Sequence, residues 1–134
     1  MVRKILCNIL TPERIIYEGE IEHVVVQGQN GKLGFLFNHC PLISKLGAGA
    51  VKLGSTKSIE YIWIENGILE IKDNKMIILA ESAYRKDELN EDSLKKELLV
   101  LKEKIENLET YSEEKSFLQM EQANLAGKIN FIEM

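Results

Sequence analysis

Residues 67–80 read GILEIKDNKMIILA, and this stretch decides the fold class. Two apolar runs flank Asp73, Asn74 and Lys75. Aspartate and asparagine tolerate the left-handed backbone conformation that a tight hairpin turn requires, and large apolar residues on both sides of such a turn are typical of strands. The stretch therefore predicts a β-hairpin.

Other strand-like stretches occur upstream of this hairpin. They read KILCNIL at 4–10, RIIYEGEIEHVVVQG at 14–28 and SIEYIWIEN at 58–66. All are rich in β-branched or aromatic residues, and glycines mark turns between them. Short strands at this spacing favour an antiparallel β-sandwich or flattened barrel, which we assign to residues 1–84.

The apolar period changes from about Asp87 onward. A narrow stripe with spacings of 4, 3, 4 and 3 residues predicts an amphipathic helix. Its members are Leu94, Leu98, Leu101, Ile105 and Leu108. Asn90 or Asp92 is expected to cap this helix, because a short side-chain oxygen can accept an unpaired N–H group of the first turn.

A second helix is predicted after the polar stretch NLETYSEE at 107–114. Its apolar residues are Phe117, Leu118, Leu125, Ile129 and Ile132. Two helices with a short connection pair antiparallel, so residues 85–134 are predicted to form a helical hairpin and the whole chain an α+β fold. Because such a hairpin buries little apolar area by itself, we expect an element that can rearrange.

Composition and charge exclude several function classes. The 134 residues carry a net charge of −4, with nine basic and eight acidic residues in 1–80 and eight basic and thirteen acidic residues in 81–134. Neither part has the concentrated basic surface of a nucleic-acid-binding protein. The start of the chain does not fit a signal peptide, and no apolar run approaches the roughly 18 residues that span a bilayer. We therefore expect a cytoplasmic protein that is not embedded in a membrane.

The residues suited to catalysis or metal binding lack the partners that such chemistry needs. His39 precedes Cys40 directly, but neighbours on a strand point in different directions and no nucleophile signature surrounds them. His23 is the only other histidine. Residues 31–34 lack the Walker pattern, and Cys7 and Cys40 are expected to be reduced, partly buried thiols. The sequence thus predicts no catalytic residue, no cofactor and no metal site.

The stretch GKLGFLFNHCPLISKLGAG at 31–49 resembles the epsilon subunit of bacterial and chloroplast F-type ATP synthase, which is called delta in mitochondria. The family pattern is Gly-x-Leu-Gly-Ile-x-x-x-His-x-Pro-Leu, and the matching residues are Gly31, Leu33, Gly34, His39, Pro41, Leu42 and Gly49. A second family segment is similar to residues 67–83. Its matching residues are Gly67, Glu70, Ala80, Glu81 and Ala83. The order of a β-domain and two helices also fits, so the resemblance covers essentially the whole chain.

The resemblance implies a non-catalytic rotor subunit in the central stalk of a rotary ATP synthase. The β-sandwich would bind the gamma subunit and sit on the c-ring, coupling ion flow to ATP synthesis. The hairpin would rearrange between a contracted form and an extended form that reaches the alpha/beta catalytic head and inhibits ATP hydrolysis. Such a subunit is peripheral to the membrane, on the cytoplasmic face of the bacterial inner membrane. The alternative is a free-standing β-sandwich adaptor that recruits a partner through its helical hairpin.

The resemblance also implies which residues meet the partners. The candidate contacts to gamma and the c-ring are Gly31, Lys32, Leu33, Gly34, His39, Pro41 and Leu42. Within this stretch, Lys32 and His39 are expected near an exposed edge, and Cys40 is expected to be a small packing residue. The residues expected to be buried are Leu33, Leu42, Trp63, Ile64, Leu69, Ile71, Ile77 and Leu79.

Several positions depart from the family pattern. Phe37 stands where proline is common. In several bacterial relatives an Ile/Leu-Asp-x-x-Arg-Ala motif at the start of the first helix binds ATP, but here Asn90 replaces the Asp and Ser93 replaces the Arg. No arginine follows Arg85, so the guanidinium contacts to phosphate are absent and we expect weak or no ATP binding. The acidic helical region is also poorly suited to meet an acidic segment of the beta subunit, so we expect weak inhibition or inhibition through apolar contacts.

Overall fold

The computed structural model describes residues 3–108 and 113–134. The chain divides into two compact units, Met1–Arg85 and Lys86–Met134. The strands of the first unit are β1 (Ile5–Leu10), β2 (Ile15–Ile21), β3 (His23–Gly28), β4 (Gly31–Leu36), β5 (Leu42–Leu46), β6 (Gly49–Gly54), β7 (Ile59–Lys72) and β8 (Lys75–Tyr84). The second unit contains a 3-10 turn at Lys86–Glu88 and the helices α1 (Glu91–Glu106) and α2 (Glu113–Glu133).

The first unit is an eight-stranded β-sandwich. The strand order is β2-β1-β8-β7-β5-β3-β4, and β6 pairs with β3 and β7. The 14-residue strand β7 pairs with β6 through its first part and with β5 through its second part, so one strand serves both layers. The predicted antiparallel sandwich is confirmed, with the addition that β1 runs parallel to β8. Local sequence patterns could not show this pair, because its strands are about 70 residues apart.

The turn that decides the fold class adopts the predicted conformation. Asp73 and Asn74 have positive φ angles of 51° and 60°. Lys72 and Lys75 face each other across the turn as the last register pair of β7 and β8. The N–H group of Leu6 donates to the main-chain oxygen of Asn74 at 2.9 Å, so β1 begins beside this turn. The predicted hairpin is confirmed.

The interior of the sandwich is a single apolar cluster. Its members are Ile5, Cys7, Ile9, Ile16, Ile21, Val24, Val26, Phe35, Leu46, Val51, Leu53, Ile62, Ile64, Leu69, Ile71, Met76, Ile78, Ala80 and Ala83. Leu33 is partly buried against this cluster. The predicted burial of Trp63, Ile64, Leu69 and Ile71 is confirmed.

Three residues predicted to be buried are exposed instead. Leu42, Ile77 and Leu79 expose 36%, 41% and 55% of their surface. In β8 the inward positions belong to Met76, Ile78 and Ala80, and the two-residue period of a strand turns Ile77 and Leu79 outward. Because both faces of β8 are apolar, the sequence pattern could not tell the inner face from the outer one.

In the helical unit, the side chain of Asn90 caps α1 by accepting a hydrogen bond from the N–H group of Ser93 at 3.1 Å. Asn90 is therefore the cap, and Asp92 lies within the first turn. The helix ends at Glu106 with Asn107 as its C-cap, so the prediction that Leu108 belongs to the helical stripe was wrong. The predicted second helix is present, although Phe117 is exposed rather than part of its buried face.

The two helices contact each other, and the start of α1 lies beside the end of α2. Lys95 pairs with Glu91 at 3.0 Å and with Glu133 at 3.7 Å. Part of the predicted polar stretch between the helices, residues 109–112, lies outside the described residues. Neither helix, over the residues described for it, is both long and apolar enough to cross a membrane.

The two cysteines lie in different environments. Cys7 is buried in the sandwich interior, and this burial raises the pKa of its thiol to about 12. Cys40 is exposed, so its expected role as a packing residue is wrong. It lies in the loop between β4 and β5, directly before the exposed Pro41, where no core element covers it.

Candidate interaction surface

One outer face of the sandwich carries rows of side chains that run across four strands. The register aligns Leu10 of β1 with Leu79 of β8, Leu79 with Ile68 of β7, and Ile68 with Lys45 of β5. Neighbouring strands are about 4.8 Å apart, so such a row spans about 14 Å. Three of its four members are apolar.

The next row continues this surface. It consists of Asn8, Ile77, Glu70 and Ile43, aligned in the same strand order. Large apolar residues of this face expose between 40% and 70% of their surface, and we call them the outer apolar face. They are Leu6, Ile43, Ile68, Ile77 and Leu79. Clustered apolar exposure of this kind makes the face a candidate interaction surface.

A cleft of about 610 Å³ lies at one end of the outer apolar face. It is lined by Leu10, Thr11, Pro12, Gln29, Lys45, Leu46, Asn66, Gly67, Ile68, Leu79, Ala80 and Glu81. The Nδ2 group of Asn66 donates to Oε2 of Glu81 at 3.3 Å, which holds the carboxylate at the cleft. Lys45 supplies a positive charge to the same cleft, so its charged groups balance.

The opposite end of the outer apolar face is formed by two turns held together by asparagines. The N–H group of Asn38 donates to Oδ1 of Asn74 at 2.6 Å, and Nδ2 of Asn74 donates to Oδ1 of Asn38 at 3.1 Å. Both residues have positive φ angles. The hydrogen bonds therefore fix the loop between β4 and β5 against the turn between β7 and β8.

The structure separates the predicted contact residues into two groups. Gly31 and Lys32 begin β4, whereas His39 follows the end of this strand. A six-residue strand is about 20 Å long, so the two groups lie at opposite ends of the sandwich. Between them, Leu33 is partly buried and Gly34 is exposed.

His39 packs as part of its loop. The centroid of its ring lies 4.8 Å from that of Phe35, and Nδ1 lies 2.7 Å from the main-chain oxygen of Cys40. The main-chain N–H group of His39 donates to the main-chain oxygen of Leu36 at 3.2 Å. Pro41 and Leu42 are exposed directly after it. This end of the predicted stretch therefore leads into the outer apolar face at Ile43.

Sequence reasoning did not identify the outer apolar face as a site. Ile77 and Leu79 were expected in the core, and Ile43 and Ile68 were not selected. The sequence did contain a signal for this face. Along the strand, Leu69 and Ile71 alternate with Ile68 and Glu70, so the two pairs lie on opposite faces, and only one face of a strand can line a single core.

The chain thus combines a β-sandwich that has one apolar outer face with a separate two-helix unit, an arrangement suited to binding a partner. The chain belongs to the delta/epsilon family of ATP synthase chains. Its residues 4–86 match the family model described as ATP synthase, Delta/Epsilon chain, beta-sandwich domain. The resemblance recognised in residues 31–49 and 67–83 is thereby confirmed.

Curated relatives support the same assignment. The chain is 35% identical over 95 residues to the ATP synthase epsilon chain of Leptospira borgpetersenii serovar Hardjo-bovis, covering 71% of this chain and 75% of that protein. It is also 35% identical over 89 residues to the ATP synthase epsilon chain of Priestia megaterium, covering 66% of each.

The fold extends to solved structures with little sequence identity. A chain in the mitochondrial ATP synthase of Euglena gracilis, solved as an OSCP/F1/c-ring assembly, matches with a TM-score of 0.78 and 14% identity, covering 99% of this chain and 81% of that one. The likeness therefore includes the helical unit as well as the sandwich, and at this identity it concerns the fold.

Proposed function

We propose that this chain is a non-catalytic central-stalk subunit of a rotary ATP synthase and helps to couple ion flow through the c-ring to ATP synthesis. The observation that carries the proposal is the outer apolar face. Removal of apolar surface from water is favourable by about 25 cal/mol per Å², and this gain opposes the entropic cost of association. A subunit that transmits rotation needs such a firmly buried contact.

The gamma subunit is the proposed occupant of this face. Ile68 and Leu79 lie in one row and Ile77 and Ile43 in the next, so they offer a continuous surface on paired strands. Paired strands resist deformation, because each residue is tied to both neighbouring strands. His39, Pro41 and Leu42 directly precede Ile43 at the turn end of the sandwich and are proposed to extend this contact.

The c-ring is proposed to meet the other end of β4. Gly31 and Lys32 lie there, separated by the length of the strand from His39. A subunit that bridges two neighbours needs two separate surfaces, and this separation supplies them. Leu33 and Gly34 are proposed to support the turn from within the strand.

The helical hairpin is proposed to be a second functional domain, with the sandwich in 1–84 and the hairpin in 85–134. It would regulate ATP hydrolysis by rearranging toward the alpha/beta head. Apolar side chains on its surface, including Leu99 and Val100 of α1 and Met120 of α2, would serve such contacts. The acidic charge of this region makes a strong contact with another acidic segment unfavourable.

ATP binding by the hairpin is proposed to be weak or absent. Asn90 uses its side-chain oxygen to cap α1, and Ser93 presents a hydroxymethyl group where a guanidinium would be needed. As part of the synthase, the chain is proposed to be peripheral to the membrane, on its cytoplasmic face in a bacterium.

The test is co-purification of the full chain with its own gamma subunit. Leu79→Asp places a charge in the outer apolar face and is expected to abolish recovery of gamma. Ile59→Asp is the matched control, because Ile59 is a comparably exposed apolar residue at the start of β7, outside the outer apolar face. Recovery of gamma by both variants would contradict the proposed face. Failure of the unmodified chain to bind gamma would favour the free-standing adaptor.

A further inference from the structure

Two lysines of like charge face each other at the turn end of the outer apolar face. Lys72 and Lys75 form the last register pair of the β7–β8 hairpin and are both exposed. Alternation along the strands puts Lys72 on the same side as Ile68, and Lys75 on the same side as Leu79. The ammonium groups therefore border the apolar surface itself.

This pair is unfavourable in the isolated chain. Like charges directly opposite each other on paired strands are destabilising. Within the described residues, neither lysine takes part in an ion pair. Lys4 precedes β1 at the same end, because Leu6 pairs with Lys75. Asp73 lies within the same turn, so the three lysines outnumber one carboxylate and the turn end keeps a net positive charge.

The other end of the face is electrostatically different. Lys45 and Glu81 line the same cleft there and carry opposite charges. The face as a whole is therefore mainly apolar along its rows, with the carboxylate of Glu70 in the second row, net positive at the turn end and balanced at the cleft end. A partner with a complementary distribution is favoured in one orientation over the reverse one.

We propose that the gamma-subunit surface that covers the outer apolar face carries an acidic cluster opposite Lys72 and Lys75. This inference rests on the proposed function, because it describes the chemistry of the same partner. The lysines attract the partner and set its orientation, and the apolar rows hold it. Complementary charge acts in this way on association rate and register more than on final affinity.

The test measures association of the full chain with a complex of the same organism's alpha, beta and gamma chains at low and high salt. Lys72→Glu is expected to slow association about tenfold at low salt and to weaken its salt dependence. Because this variant puts opposite charges across the hairpin, its thermal midpoint should be equal to or above that of the unmodified chain. A general structural defect would lower both the association rate and the thermal midpoint. Lys57→Glu, at an exposed turn outside this face, is the matched control and should change association much less.

The outcomes separate this inference from the proposed function. If Leu79→Asp prevents binding while Lys72→Glu associates like the unmodified chain, the acidic cluster is refuted and the gamma contact stands. If neither variant affects binding, both proposals fail. Equal slowing by Lys72→Glu and Lys57→Glu would also overturn the inference, because it would reflect net charge rather than this site.

Discussion

The guanidinium of Arg85 donates from Nη2 to the main-chain oxygen of Ile16 at 2.5 Å, joining the end of β8 to the edge strand β2. These two strands do not pair, because β1 lies between them. The Nη1 group of Arg85 forms an ion pair with Glu60 of β7. Arg14 repeats the arrangement in the opposite direction by donating to the main-chain oxygen of Ala83 at 3.3 Å. Arg85 and Arg14 thus link β8 to β2 at the end of the sandwich unit.

Replacing this arginine should destabilise the sandwich. Arg85→Ala is expected to lower the free energy of unfolding by about 1–2 kcal/mol, since hydrogen bonds to a charged group are lost at a partly exposed site. Glu60→Gln keeps the bond to Ile16 and should cost less than about 1 kcal/mol. Chemical denaturation of the full chain measures both, and equal stability of Arg85→Ala and the unmodified chain would refute this role.

The turn before β4 should tolerate only glycine at its end. Gly31 has a φ of 129°, which other residues rarely adopt. Gly31→Ala is expected to destabilise the chain by about 1–2 kcal/mol, although a Cβ there would meet no atom within 4 Å. Gly34→Ala is the matched control, because a Cβ at Gly34 would also meet no atom within 4 Å, whereas Gly34 has no positive φ angle. Thermal unfolding should separate the two variants, and equal effects would contradict the strain argument.

The two cysteines should differ sharply in reactivity. Cys40 is exposed and should react with a thiol reagent at neutral pH, whereas Cys7 should react only after unfolding. Burial raises the pKa of the Cys7 thiol to about 12, above its ordinary value. The stability that the neutral thiol contributes is therefore fully present below the pKa of this thiol in the unfolded chain, and it is lost as the pH rises toward 12. Mass spectrometry after brief labelling should show one modified thiol, that of Cys40, at both pH 7 and pH 9. Rapid labelling of Cys7 in the folded chain would contradict its burial.

ATP should not bind the isolated chain appreciably. Titration calorimetry with ATP and Mg²⁺ is expected to give no saturable heat at micromolar nucleotide, because Asn90 is occupied as a helix cap and Ser93 cannot form a bidentate phosphate contact. A dissociation constant in the low micromolar range would overturn this expectation.

The sequence predicted those features that depend on local chemistry. Asp73 and Asn74 favoured the hairpin turn, and Asn90 marked the start of α1, because each residue type has a particular local conformation or hydrogen bond. The outward direction of Ile77 and Leu79 could not be read in the same way. Both faces of β8 are apolar, and which one meets the core depends on strands that are distant in sequence.

The candidate site was predicted only in part for a related reason. The residues from Gly31 to Leu42 were treated as one surface because they are adjacent in sequence. Strand β4 then carries the chain from one end of the sandwich to the other, so Lys32 and His39 lie far apart. The outer apolar face draws on β1, β5, β7 and β8, and its rows exist only once the strand order is known.

The most direct test of the gamma contact is site-specific cross-linking within the assembled complex. A single reactive cysteine is introduced by Leu79→Cys in a Cys40→Ser background, because Cys40 is exposed and Cys7 is buried. After labelling with a photoreactive maleimide and assembly with the alpha, beta and gamma chains, illumination should cross-link this position to gamma. The same label at Ile59→Cys, a comparably exposed position outside the outer apolar face, controls for exposure. Cross-links from Leu79→Cys to another chain, or none to gamma in an intact complex, would contradict the account.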